Sequence, residues 1–162
     1  MVAIIPGTKA PFFTLKTSEG GILKLSESLR GHGAVVLAFF KVSCPVCQFT
    51  FPYLERLHRS YLHIPVWGIS QDDSDATTAF ARMYGCSFPM LLDERLDCTV
   101  SYGLTNVPSV FLVTQDGAIK QTIVGFAKGE MEDLNEQVAL FAQQTVRPLF
   151  TQADEVPALK PG

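Results

Sequence analysis

A chain of 162 residues, 47% of them apolar and 18% charged, is long enough to bury a real core and fits one compact domain. The formal net charge of −3, with Lys and Arg scattered rather than clustered, supplies no footprint for nucleic acid or an anionic membrane, so the expected partners are proteins or small molecules. No apolar run reaches the roughly eighteen residues of a membrane span, and Met1 to Gly7 lack the charged and apolar regions of a signal peptide. These features predict a soluble chain working in the cytoplasm, or in the periplasm or another extracytoplasmic space if a leader has been removed.

In chain order, Gly7 to Leu15 reads as extended, and Ser18-Glu19-Gly20-Gly21 is a turn before Ile22 to Leu25, which together predict a small β-hairpin. Ser26, Leu29, Gly31 and Gly33 suggest one short helical turn with a glycine stop. Residues 34–40 are apolar throughout, as in a strand covered on both faces. From Pro45 the period changes. Val46, Phe49, Tyr53, Leu54, Leu57 and Tyr61 recur at helical intervals, Pro45 suits the first helical position, and Pro52 inside the helix needs a tertiary reason.

Ile64 to Ser70 is a second buried strand, followed by caps at Gln71 to Asp75 and a helix with Ala76, Ala79, Phe80 and Met83 on one face, ended by Gly85. After Phe88 to Leu92, the stretch Asp93 to Tyr102 reads as a short helix with Leu96 and Val100 four apart. Asn106 to Val113 is a third apolar strand, Gln115-Asp116-Gly117 a turn, and Ile119 to Val124 a half-covered antiparallel strand. Met131, Leu134, Val138 and Phe141 stripe a last helix from about Gly129 to Thr145. The expected division is a domain over residues 1–147 and an extended or disordered tail over 148–162, which carries three prolines and no period. The order of elements gives an α/β fold with a central mixed sheet and helices on both faces. Trp67 and the pairs Phe12-Phe13 and Phe39-Phe40 are expected in the core, and His32, His58 and His63 on the surface.

The strongest chemical signal is Cys44-Pro45-Val46-Cys47, delivered by an apolar strand to a helix start. Four cysteines are too few for a disulfide scaffold, so the pair is catalytic or metal-binding. A thiolate at a helix N-terminus meets unpaired N–H groups and the positive end of the dipole, which favour the ionised sulfur. Cys44 would attack a disulfide and Cys47, one turn on, would resolve the mixed disulfide.

A strand running into Cys-x-x-Cys, a proline eight residues into the following helix and a distant Val107-Pro108 before a strand and hairpin resemble the thioredoxin fold. Gly7 to Phe13, Leu25 to Gly31, Ile69-Ser70-Gln71-Asp72, Phe88 to Asp93 and Tyr102 to Val113 are similar to the TlpA-like and peroxiredoxin-like redoxins, over about residues 5–145. The resemblance implies a thioredoxin-like fold with an N-terminal β-hairpin extension and a thiol–disulfide oxidoreductase with Cys44 and Cys47 as the exchanging pair. It further implies Pro108 as a cis-proline shaping the site, and Pro45, Val46 and Val107 as the surface that meets the substrate. A protein dithiol or disulfide would be the substrate and a second redox protein would act upstream. No cofactor, metal, nucleic acid or membrane span is expected, and the chain is expected to be a monomer.

Two departures qualify the thioredoxin likeness. Ala38 stands where a buried acid assists the second cysteine, although Glu27 or Glu94 could approach from elsewhere, and Ser43 stands where a tryptophan is usual. The rival peroxidase reading would need a Pro-x-x-x-Thr-x-x-Cys pattern, and those positions hold Leu37 and Lys41. Lys41 could stabilise the thiolate or simply be solvated. A metal-binding module is the other rival, but Cys86 and Cys98 are not close-spaced and the histidines lie before or just after the pair. Cys86 and Cys98 are expected to be small buried hydrophobes rather than a second disulfide. Asp93 matches a family aspartate and could simply cap the next helix.

Overall fold

The computed structural model describes residues 3–162; Met1 and Val2, the start of the N-terminus read above, lie outside the described residues. The predicted hairpin forms from β1 (Thr14–Lys16) and β2 (Ile22–Lys24), antiparallel across a turn in which Gly20 takes φ +93°. Helix α1 (Leu25–His32) is longer than the single turn expected, because Leu25 and Leu29, one turn apart, both bury against the sheet; Gly33, at φ +82°, stops it.

Five strands make the central sheet, in the order β5-β4-β3-β6-β7. They are β3 (Ala34–Phe40), β4 (Val66–Ser70), β5 (Met90–Leu92), β6 (Ser109–Thr114) and β7 (Ile119–Val124). The first three run parallel, while β6 is antiparallel to β3 and β7 to β6. The central strand divides the core by its alternation. Ala34, Val36, Ala38 and Phe40 face α2 (Pro45–Ser60), α3 (Ser74–Met83) and α5 (Lys128–Ala142), whereas Val35, Leu37 and Phe39 face α1, α4 (Asp97–Ser101) and the N-terminal segment. Burial on both faces is why β3 has no polar residue.

Several helix faces differ from the expected stripes. On α2 the fully buried residues are Cys47, Thr50, Phe51, Leu54 and Leu57, and Val46, Phe49 and Tyr53 are half-buried. The second group covers a different partner: Phe49 packs edge-on to Phe126, and Tyr53 on Phe150. Two neighbours on two sides of one helix broaden its apolar stripe. Pro52 is exposed, so its ring stays on the solvent side of α2. On α3, Ala79 and Met83 are exposed; the buried pair is Thr77 and Phe80, because the Thr77 hydroxyl bonds the Ser70 hydroxyl at 2.6 Å. Leu96 and Val100 are exposed too, and Leu96 precedes α4 in a left-handed conformation. Phe12 is 60% exposed although Phe13 packs on Trp67 and Tyr102, and His58 is half-buried against Phe88.

Beyond α5, residues 148–162 run mostly extended along α2. Leu149 is buried, and Arg56 donates to its carbonyl and to both carboxylate oxygens of Asp154. After a 3-10 turn at Gln152–Asp154, β9 (Leu159–Lys160) pairs antiparallel with β8 (Phe126–Ala127). Among the described residues no helix is long and apolar enough to cross a membrane.

Candidate active site

The site lies past the C-terminal ends of β3 and β4. After Phe40 the chain leaves the sheet as Lys41-Val42-Ser43, and this loop is held from both sides: Asp72 accepts the Val42 N–H at 2.8 Å and the Gln48 amide donates to the Val42 carbonyl at 2.9 Å. Parallel pairing of β3 with β4 places Phe40 beside Ser70, so two residues further on Val42 falls beside Asp72. The Cys44 N–H then turns back onto the Lys41 carbonyl at 3.2 Å, and Cys44, in an extended conformation, becomes the N-cap of α2 with Pro45 behind it.

In that position the Cys44 sulfur accepts the Cys47 N–H at 3.2 Å, the bond a capping side chain makes to a free N-terminal amide. Its thiol also points to the Val107 carbonyl at 3.5 Å. The Val107–Pro108 peptide is cis, as the resemblance implied. The loop before it is fixed by the Ser109 hydroxyl donating to the Asn106 carbonyl at 2.8 Å, and the Gly125 N–H donates to the Pro108 carbonyl at 2.8 Å. The Val107 N–H meets no acceptor among the described residues. Of the predicted surface residues Pro45 is exposed, Val46 and Val107 are half-buried, and Pro108 is buried. All six residues singled out from the sequence therefore gather at one end of the sheet.

The two cysteines differ sharply. Cys44 is partly open, whereas Cys47 is fully buried among the residues of β3 and α2. Burial first, and then the neighbouring Cys44 thiol, push the Cys47 thiol far above the ordinary cysteine range. No carboxylate bears on it: Ala38 is buried in the same cluster, and Glu27 and Glu94 are exposed. Lys41 is exposed and Leu37 is buried on the opposite face of β3 from Ala38, so neither supplies the peroxidase arrangement. Cys86, half-buried rather than buried as expected, packs against the α2 side of the sheet, and Cys98 is buried in the core of the other side, which separates the two thiols. Burial, with Glu55 nearby, pushes Cys86 up to about 12. Asp93 is buried and accepts the N–H groups of Cys98 and Thr99 and the Thr99 hydroxyl, so it caps α4. Among the described residues no cluster of three or more His, Cys, Asp or Glu side chains could hold a metal ion.

Sequence reasoning gave no part to Gln48 and Gly125, and offered Asp72 only among the caps of the helix after β4, a place Asp73 takes. Only the strand register brings Asp72 to the cysteine loop. The end of β4 is nevertheless where a parallel sheet presents its functional loops.

Comparison with known proteins agrees with this geometry. Residues 6–122 match the model of the AhpC/TSA family. The chain is 30% identical over 122 residues to the thiol-disulfide oxidoreductase ResA of Bacillus thuringiensis strain Al Hakam, covering 74% of this chain and 69% of that protein. A putative thiol:disulfide interchange protein DsbE from Chlorobium tepidum superposes with a TM-score of 0.75 at 26% identity, over 86% of this chain and 99% of that one. A putative protein disulfide isomerase from Bacteroides thetaiotaomicron superposes with a TM-score of 0.78 over 88% of this chain and 92% of that one; at 24% identity it speaks to the thioredoxin-like fold alone. A capping, half-open cysteine, a buried partner one turn along and a cis-proline beside them thus stand in a chain that belongs to the AhpC/TSA family and is one of its thiol–disulfide oxidoreductases.

Proposed function

We propose that Cys44 is the attacking thiol and Cys47 the resolving one. The observation that carries this is the asymmetry of the pair: the Cys44 sulfur caps α2 and is reachable, and Cys47 is buried behind it with its proton held tightly. The Cys44 thiolate attacks one sulfur of a substrate disulfide, forming a mixed disulfide and releasing the other sulfur as a thiolate. Cys47 then gives up its proton and attacks the Cys44 sulfur, forming the Cys44–Cys47 disulfide and releasing the second substrate thiol. Two electrons and two protons pass to the substrate in total, and an upstream dithiol returns them to the protein. With no carboxylate near Cys47, the departing thiolate or water takes its proton.

Pro108 has no N–H of its own to offer a neighbouring strand, and Pro45, Val46 and Val107 form the surface that meets the substrate. The Val107 N–H, which meets no acceptor among the described residues, supports this, since an extended substrate segment can satisfy it. The reading includes a protein dithiol or disulfide as substrate and a domain over 1–147. It also includes a monomeric chain acting in the cytoplasm unless a leader precedes the sequence. Trapping tests it. Cys47→Ser incubated with a disulfide-bonded protein is expected to stall as a mixed disulfide on Cys44, seen as a reducible adduct. An adduct on Cys86 or Cys98 instead, or none with exchange undiminished, would remove the assignment.

A further inference from the structure

The strip beside Cys44 is already occupied by the chain itself. Arg56 and the buried Leu149 tie residues 148–154 to α2, and the chain then continues toward the cysteine end of the helix. The Lys128 N–H donates to the Ala158 carbonyl at 2.9 Å, and Leu159 and Lys160 pair with Ala127 and Phe126. The Lys160 ammonium sits 5.0 Å from the centre of the ring of Phe49, on α2 just past Cys47.

Three contacts bring the end of this segment onto the cis-proline loop. Gly125, at φ +73°, has backbone against it: a Cβ there would fall 2.8 Å from the Lys160 carbonyl oxygen and 2.9 Å from the Gly162 nitrogen. A Cβ on Gly162 would collide with the carbonyl oxygen of Val107. The Asn106 amide donates to the Gly162 carbonyl at 3.2 Å. The Val107 carbonyl approached by Gly162 is the one to which the Cys44 thiol points. Residues 159–162 thus lie between Gly125 and Val107, on the backbone an extended partner would use, yet none of these contacts is with the Cys44 sulfur.

The hold is light. No described residue after Leu149 is fully buried, and Leu159 is exposed. Segments tied by a two-residue pair and a few exposed contacts open at little free-energy cost.

We propose that residues 159–162 are a substrate-selecting strap. They leave Cys44 open to small disulfides and stand in the way of an extended protein segment, which reaches the sulfur only by displacing them. This rests on the exchange reading of Cys44 and Cys47 given above.

The test uses the 162-residue chain carrying Gly162→Val, whose side chain cannot share space with the Val107 carbonyl, and the double variant Lys160→Glu/Gly162→Val, which also removes the cation over Phe49. Strap release is read by faster hydrogen exchange of the Lys128 amide, and the fold by an unchanged thermal midpoint. The expected result is a rise of about fivefold or more in kcat/KM for insulin disulfides, the factor that about 1 kcal/mol of strap affinity produces, with the rate on a small aromatic disulfide unchanged. A released double variant with the same preference as the parent overturns the strap, as does a double variant that keeps Lys128 protected, since the strap would then not be displaceable. Failure of the parent to exchange with either disulfide overturns the exchange reading itself, and the strap with it.

Discussion

Cys44 and Cys47 are one helical turn apart and live in opposed surroundings. The first has its sulfur on a free amide at the partly open end of α2, and the second is packed among Phe40, Phe51 and Ala38. Alkylation near pH 7 should therefore be selective. Iodoacetamide is expected to add one group to the folded reduced protein, on Cys44, and four to the protein in urea, counted by mass spectrometry; early labelling of Cys47 would contradict the burial described. The pair and Pro108 were legible because their chemistry depends on spacing along one helix and on one X-Pro bond. Asp72 and Gln48 had no assigned part at the cysteine loop for the opposite reason. The N–H and C=O of Val42 find them through the strand register and the first helical turn, and a linear pattern carries no trace of which strands are neighbours.

The short elements owe their positions to buried polar groups more than to apolar stripes. Asp93 is the example: its carboxylate takes three donors from Cys98 and Thr99 and so starts α4, even though Leu96 and Val100, the residues that signalled a helix, face solvent. Asp93→Ala would leave those buried donors unmatched and is expected to lower unfolding free energy by about 2 kcal/mol in urea titration, with exchange at Cys44 intact. The same logic explains α3, where Thr77 turns inward to Ser70 and Met83 turns out. Period alone locates such helices and misorients them, since it weighs a buried threonine as polar. Long elements suffer less. The seven residues of β3 are buried as read, as are Met131, Leu134 and Val138 of the α5 stripe, with Phe141 half-buried.

Taken whole, the molecule stores several protons that it releases only at high pH. Burial holds Cys47, Cys86, Cys98 and Tyr102 above their ordinary values. Below about pH 8.5, where free thiols keep their protons, both folded and unfolded chains are protonated at these cysteines and the stabilisation is fully present. As pH rises further the unfolded chain loses protons that the folded one retains, so stability falls, by up to about 1.4 kcal/mol per pH unit for each such group. The reduced protein is expected to show a steeper loss of thermal midpoint between pH 7.5 and 9.5 than the Cys44–Cys47 disulfide form, in which Cys47 has no proton to lose. Equal slopes would place the Cys47 thiol in ordinary surroundings. The mixed sheet and its two covered faces were readable because alternation and apolar runs report burial directly. The path of residues 148–162 was not, since its contacts are those of single residues with distant partners such as Arg56 and Asn106. The N-terminal segment is used in another way. Ile4 to Ala10 bonds along β7 through Thr122, Ile119 and Gly117, and the turn of the first hairpin bonds β5 through Ser18 to Met90 and the Thr17–Leu91 bridge. One stretch of chain thus buckles both rims of the five-stranded sheet, interrupting the rows of free N–H and C=O groups on which a foreign strand could grow. Strand addition is opposed at both rims, for client and sister chain alike, which favours the end of the sheet, where the sulfur is, for an extended visitor.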